Sequence, residues 1–111
     1  MTPPRRGDVW LAQLDKIRPV VVLTRDPMGR ILNAVVTAPV TSTVRGLSTE
    51  VAVGPADGVR HPSSVANLDQ TQLVARSRLV RRVGRARPET MAALCAALAV
   101  ALSCEAPTTG A

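Results

Sequence analysis

The sequence predicts a mainly β domain closed by a C-terminal α-helix, its strands forming a small barrel or strongly bent sheet. Two observations carry this. Short Val-rich runs recur with turn residues between them, the pattern of a small closed or bent sheet. One late apolar segment instead has helical spacing. The 111 residues fit a single domain, 1–111, with 1–5 and 105–111 expected as flexible ends.

The first strand is "GDVWLAQL" (7–14), with Trp10, Ala12 and Leu14 on one face and Val9 and Leu11 on the other. A tight connection, "DKI", leads to "RPVVVLT" (18–24), where Pro19 is acceptable at a strand start. "RDPMGR" (25–30) reads as a turn and "ILNAVVTAPV" (31–40) as a third strand. The loop "TSTVRGLST" (41–49), a short strand "EVAVG" (50–54) and the loop 55–63 follow. "SVANLDQTQLV" (64–74) reads as one or two strands, 75–79 as one helical turn, and "VRRVGR" (80–85) as the last strand. The helix starts near "RPETM": Pro88 suits a first helical position, and Glu89 suits the positive end. Met91, Leu94, Cys95, Leu98 and Leu102 make its apolar stripe, with a mostly Ala opposite side.

Composition narrows the function classes. Apolar residues are 46%, which argues against disorder, yet Trp10 is the only aromatic. A core of Val, Leu, Ile and Ala buries less area per residue, so a second subunit is expected to add stability. The net charge is +6, and every basic residue but Lys16 is Arg. Such a balance suits an acidic partner, with nucleic acid or an acidic protein ahead of a membrane. The longest apolar run, 91–102, is about half a membrane span. Cys95 and Cys104 are too far apart along one helix to bridge, which reads as a reduced, cytoplasmic protein with one core thiol.

No phosphate-binding glycine loop, metal cluster or Ser–His–Asp pattern is present, so no cofactor or metal is expected. Asp8, Asp15, Asp26, Asp57 and Asp69 fall at turns or strand ends, where solvated or capping roles are the default. In "IRPVVVL", Pro19 biases Arg18 to extended geometry and fixes where its side chain leaves the sheet. In "APVTSTVRG" (38–46), three hydroxyl residues follow a strand directly; local side-chain to backbone bonds are the plain reading. "RSRLVRRVGRAR" (76–87) has no acidic interruption, so an anionic partner competes with a merely solvated face. The lack of aromatics argues against a base-stacking platform.

Taken in order, "RGDVWLAQLD" (6–15), "RPVVVLTR" (18–25), "VTAPVTSTVRGLSTEV" (36–51), "SSVANLDQTQLVARSRLVRRVGR" (63–85) and the closing helix resemble the MazF/PemK family of toxin–antitoxin ribonucleases. The resemblance implies an SH3-like barrel, usually a homodimer, that cuts single-stranded RNA without a metal. It implies 2′,3′-cyclic phosphate and 5′-hydroxyl ends, and an antitoxin partner with an acidic tail, with DNA bound only through the antitoxin complex. By the same resemblance Arg18 and Thr41 are the catalytic pair. Ser42 and Thr43 line the RNA groove, and Gln70 contacts substrate or braces the site. A guanidinium is a poor base, so Arg18 is expected first as an electrostatic stabiliser and second as a candidate proton donor. "DKI" is shorter than the glycine-containing loop of many members, which implies a more open groove of altered specificity. The alternative is a CcdB-type gyrase-poisoning protein on the same fold without nuclease activity. A DNA-binding repressor ranks below both.

Overall fold

The hairpin at the start of the chain organises the rest. In the computed structural model, which describes residues 2–104, β1 (Asp8–Gln13) pairs antiparallel with β2 (Ile17–Val22). Alternation sends Trp10, Ala12, Val20 and Val22 to one side, where they pack with Val35, Val74 and Leu79. Val9 and Val21 go to the other side, with Ala38, Val40 and Val53. Both faces are therefore buried at this hairpin, as its near-continuous apolar sequence predicts.

β3 (Ala34–Thr41) is the strand that bends the sheet. Along one edge it pairs with β2, and the pairing ends at Val20↔Pro39. Along its other edge it pairs first with β6 (Gln72–Ala75), then through Val40 and Thr41 with β5 (Val65–Asn67). β4 (Glu50–Ala52) lies outside β5, and β7 (Leu79–Arg85) lies outside β1. The spatial order is β4-β5-β3-β2-β1-β7, with β6 on β3. The β1–β7 register shifts between Val9 and Trp10 and between Leu11 and Ala12, adding twist. Residues 64–74 thus hold two strands, separated by a 3-10 turn, Leu68–Gln70.

Two boundaries differ from expectation. Part of the expected turn 25–30 joins a short helix, α1 (Met28–Ile31), so the third strand starts at Ala34 rather than 31. Residues 2–5, expected as a flexible end, include the buried Pro4, whose carbonyl lies where a Cβ on Gly29 would sit. Met1 and the expected flexible end 105–111 lie outside the described residues.

α2 (Pro88–Ala101) covers the Val9–Val21 cluster with Leu94 and Ala97, and Met91, Leu98 and Ala101 are partly buried beside them. Burying a leucine such as Leu94 contributes about 2 kcal/mol. Cys95 is exposed, not the core thiol expected, because one residue past Leu94 turns about 100° away from the buried line. Its Sγ accepts from Arg6 Nη2 at 2.9 Å. Leu102 is also exposed. Among the described residues no helix is long and apolar enough to cross a membrane.

Asp8 and Asp57 are buried rather than solvated; Asp57 has the other role expected of these acids, capping the 3-10 turn Pro55–Asp57 by accepting from Gly54 N at 3.4 Å. Asp8 accepts from Arg85 Nη1 at 2.8 Å and from Arg5 N at 2.9 Å. Asp57 ties the loop before β5 to the start of α2: it accepts from Arg87 N at 2.8 Å and from Thr90 Oγ1 at 3.0 Å. The arginine run is therefore partly internal wiring. Its buried acidic partners, Asp8 and Asp57, sit far away in sequence, where a scan for local interruptions does not find them.

Candidate functional site

The place where β2 and β3 part company makes a groove. Proline has no N–H for a ladder, and pairing with β2 stops at Pro39. Continuing that register two residues sets Arg18 across from Thr41. That facing pair is not formed: Arg18 is paired only on its far edge, with Ala12 of β1, and Thr41 on its far edge, with Val65 of β5. The strand ends diverge and leave an open concavity of about 520 Å³ between them, lined by Arg18, Thr41, Thr43 and Gln70 among others. Four of the five residues singled out in the sequence therefore meet. Ser42 is exposed and does not line the concavity, contrary to its expected place in the groove wall.

Arg18 is held by its neighbour in the turn. Its Nε donates to Asp15 Oδ1 at 2.9 Å and its Nη2 to Asp15 Oδ2 at 3.1 Å. This fork holds the Asp15 carboxyl down to about 2 and raises Arg18 further above its already high value. Both groups are charged at neutral pH, and Arg18 is excluded as a base.

Thr41 closes β3 with its hydroxyl oxygen accepting from Thr43 N at 3.1 Å. The local side-chain to backbone bond expected from the hydroxyl run is present, and it leaves the Thr41 O–H proton free to donate elsewhere.

Asp15, given only a solvated or capping role in the sequence, also lines the groove, and so do three polar residues not singled out there: Arg45, Asn67 and Gln72. Arg45 is set by Glu50, whose carboxylate accepts from Arg45 N at 3.1 Å and from Leu47 N at 2.9 Å. Those backbone donors hold Glu50 below the usual carboxylate range, the Leu47 N–H most of all. Asn67 Oδ1 accepts from Asp69 N at 2.9 Å, and the Thr49 hydroxyl donates to the Asp69 carboxylate. Together they brace the 3-10 turn that delivers Gln70. Gln72 is anchored through its carbonyl, which accepts from the buried Thr37 hydroxyl at 3.1 Å. Two guanidinium groups, a free hydroxyl donor and three amide side chains make a surface suited to a phosphate flanked by hydrogen-bonding bases. Among the described residues no group of three or more His, Cys, Asp or Glu could hold a metal ion.

Fold and groove together define a small bent-sheet protein with an open groove lined by guanidinium, hydroxyl and amide groups. Residues 5–102 match the family model described as PemK-like, MazF-like toxin of type II toxin-antitoxin system. The chain belongs to that family. It is 42% identical over 103 residues to a Mycobacterium tuberculosis protein named probable endoribonuclease MazF5, covering 91% of this chain and 94% of the relative. It is also similar to the solved Mycobacterium tuberculosis toxin MazF-mt6, with TM-score 0.84 and 39% identity over 89% of this chain and 99% of that one. A mycobacterial endoribonuclease in complex with its cognate antitoxin matches with TM-score 0.84 and 30% identity, over 94% and 99% of the two chains. These neighbours share the antiparallel sheet and C-terminal helix. They favour the nuclease reading over the gyrase-poisoning one.

Proposed function

We propose that this chain is the endoribonuclease toxin of a type II toxin–antitoxin pair and cuts single-stranded RNA in the cytoplasm without a metal. The observation that carries the reading is the placing of Arg18 and Thr41 on the two walls of one open cationic groove. The reaction joins a ribose 2′-oxygen to the adjacent phosphorus and breaks the bond from phosphorus to the 5′-oxygen. The 2′-oxygen loses a proton and the 5′-oxygen gains one, giving 2′,3′-cyclic phosphate and 5′-hydroxyl ends.

Charge builds on the non-bridging phosphate oxygens as the fifth bond forms. A fixed guanidinium lowers the energy of that state more than of the ground state, which is what accelerates a reaction. Arg18 takes this role, because its raised pKa rules out a base and makes it a poor acid. Thr41 donates its hydroxyl proton to a phosphate oxygen, and Arg45 adds a second cation along the backbone. Thr43 and Gln70 contact substrate, with Asn67 and Gln72 in reach of base edges. Ser42 contacts RNA from outside the groove wall.

Two partners follow. An acidic antitoxin segment is attracted by the same cations and competes with RNA for them; DNA is engaged only through that complex. A second copy of the chain gives a homodimer, supported by exposed apolar side chains such as Ile31 and Leu73, at 66% and 68%. Sedimentation at micromolar concentration that finds only monomer removes the dimer.

The main test incubates pure protein with mixed RNA in EDTA, beside Arg18→Ala and Thr41→Ala, and identifies the ends produced. Cutting by the wild type with cyclic phosphate ends, and loss of cutting in both variants, is expected. Intact RNA with the wild type sinks the proposal; normal cutting by both variants sinks the assigned roles.

A further inference from the structure

We propose that Asp15 is a positioning residue for the reaction: its carboxylate holds Arg18 by one edge, so that the other edge of the guanidinium meets the scissile phosphate. This rests on the nuclease reading above and adds a residue to it.

The geometry is specific. A guanidinium carries five N–H bonds. Asp15 takes one from Nε at 2.9 Å and one from Nη2 at 3.1 Å, both on the same edge. The second N–H of Nη2 and both of Nη1 remain, and the Nη2 N–H with the Nη1 N–H beside it forms a pair that matches two phosphate oxygens. Arginine has many rotamers, and a long side chain at a strand start samples them unless something holds it. Here the hold comes from the turn. Leu14 N donates to Lys16 O at 3.0 Å, and Gln13↔Ile17 and Ala12↔Arg18 are paired, so the backbone fixes where Asp15 stands relative to Arg18. Asp15 is the more exposed partner, with 69% of its side chain exposed against 34% for Arg18. Both side chains line the groove, the acid at its more exposed side.

A purely structural role does not fit, since an exposed ion pair at a hairpin tip contributes little to stability. A simple counter-ion role makes the opposite prediction. Asp15 cancels part of the charge that attracts phosphate, so as a counter-ion its removal would speed the reaction. As a positioning residue its removal slows it.

The experiment compares wild type, Asp15→Ala and Asp15→Glu on a defined RNA, with thermal melts as a fold control. Asp15→Ala is expected to melt within a few degrees of wild type and to lose about 10- to 100-fold in kcat, with KM unchanged or lowered. Asp15→Glu, whose longer arm can rebuild the fork, is expected to recover most of the loss. Nitrogen-resolved NMR gives a second readout: a distinct, slowly exchanging Arg18 Nε–H signal in wild type that broadens in Asp15→Ala. A kcat for Asp15→Ala equal to or above wild type overturns the proposal. If the wild type does not cut RNA, the nuclease reading fails first. The spectrum still judges the fork, and an Arg18 signal unchanged in Asp15→Ala overturns it independently.

Discussion

The Thr41 hydroxyl oxygen accepts the Thr43 amide proton at 3.1 Å, which uses one of its lone pairs and leaves its single O–H proton to be offered to the groove. Thr41→Ser keeps that arrangement and is expected to cut RNA within about threefold of wild type. Thr41→Val keeps the shape and removes the donor. It is expected to lose about 100-fold in kcat, the scale of one lost transition-state hydrogen bond. Steady-state cleavage of a short fluorescent RNA separates the two; equal rates would count against a donor role.

Arg45 reaches the groove from a loop tied down by Glu50. Arg45→Ala is expected to raise KM several-fold with a smaller change in kcat, because it binds phosphate away from the reacting bond. The slope of affinity against salt should fall by about one charge. Glu50→Gln weakens the tether while keeping an acceptor, and a milder rise in KM is expected. Binding titrations with uncleavable 2′-deoxy strands at several salt concentrations check both.

Asp57 makes stability depend on acid. Burial pushes its carboxyl up, but the Arg87 backbone and guanidinium, Thr90 and Gly54 together hold it below the ordinary value of 3.8. A carboxyl lowered by folding contributes stability that is present above the unfolded value and lost as pH falls through the folded one. Urea melts should therefore show stability dropping below about pH 4. Asp57→Asn is expected to flatten that drop and to cost about 1–3 kcal/mol at pH 7.

Gly58 and Gly84 touch back to back. A Cβ on Gly84 would stand 2.5 Å from Gly58 Cα and 2.6 Å from the Asp57 carbonyl oxygen, both of them backbone that cannot swing aside. Gly58 also has φ +89, which disfavours a side chain. Gly84→Ala is expected to destabilise by about 1–3 kcal/mol, read as a lower urea midpoint at unchanged slope.

How much of this was legible in the sequence depends on the kind of interaction. The β1–β2 hairpin and α2 were readable, because alternation and helical spacing are local. Arg18 and Thr41 were readable through their motifs and the residues beside them, Pro19 and the hydroxyl run. What the sequence concealed is pairing at a distance: Asp8 with Arg85 and Asp57 with Arg87. Asp15 is the instructive intermediate, since it sits only three residues from Arg18 across a tight turn. Cys95 was misread for another reason: a mostly Ala helix shows its buried line weakly, so one neighbour of Leu94 passes for core.

Every Asp and Glu among the described residues has a partner within the fold: Asp8, Asp15, Asp57 and Glu89 pair with arginines, while Asp26, Glu50 and Asp69 accept hydrogen bonds. Among the described residues the negative charge is thus matched within the fold, and the charge left in excess is positive. Polyanions are then drawn in over distances longer than any contact, at encounter rates that fall steeply as ionic strength rises. The same wiring that holds this small sheet together also sets how fast it finds a target.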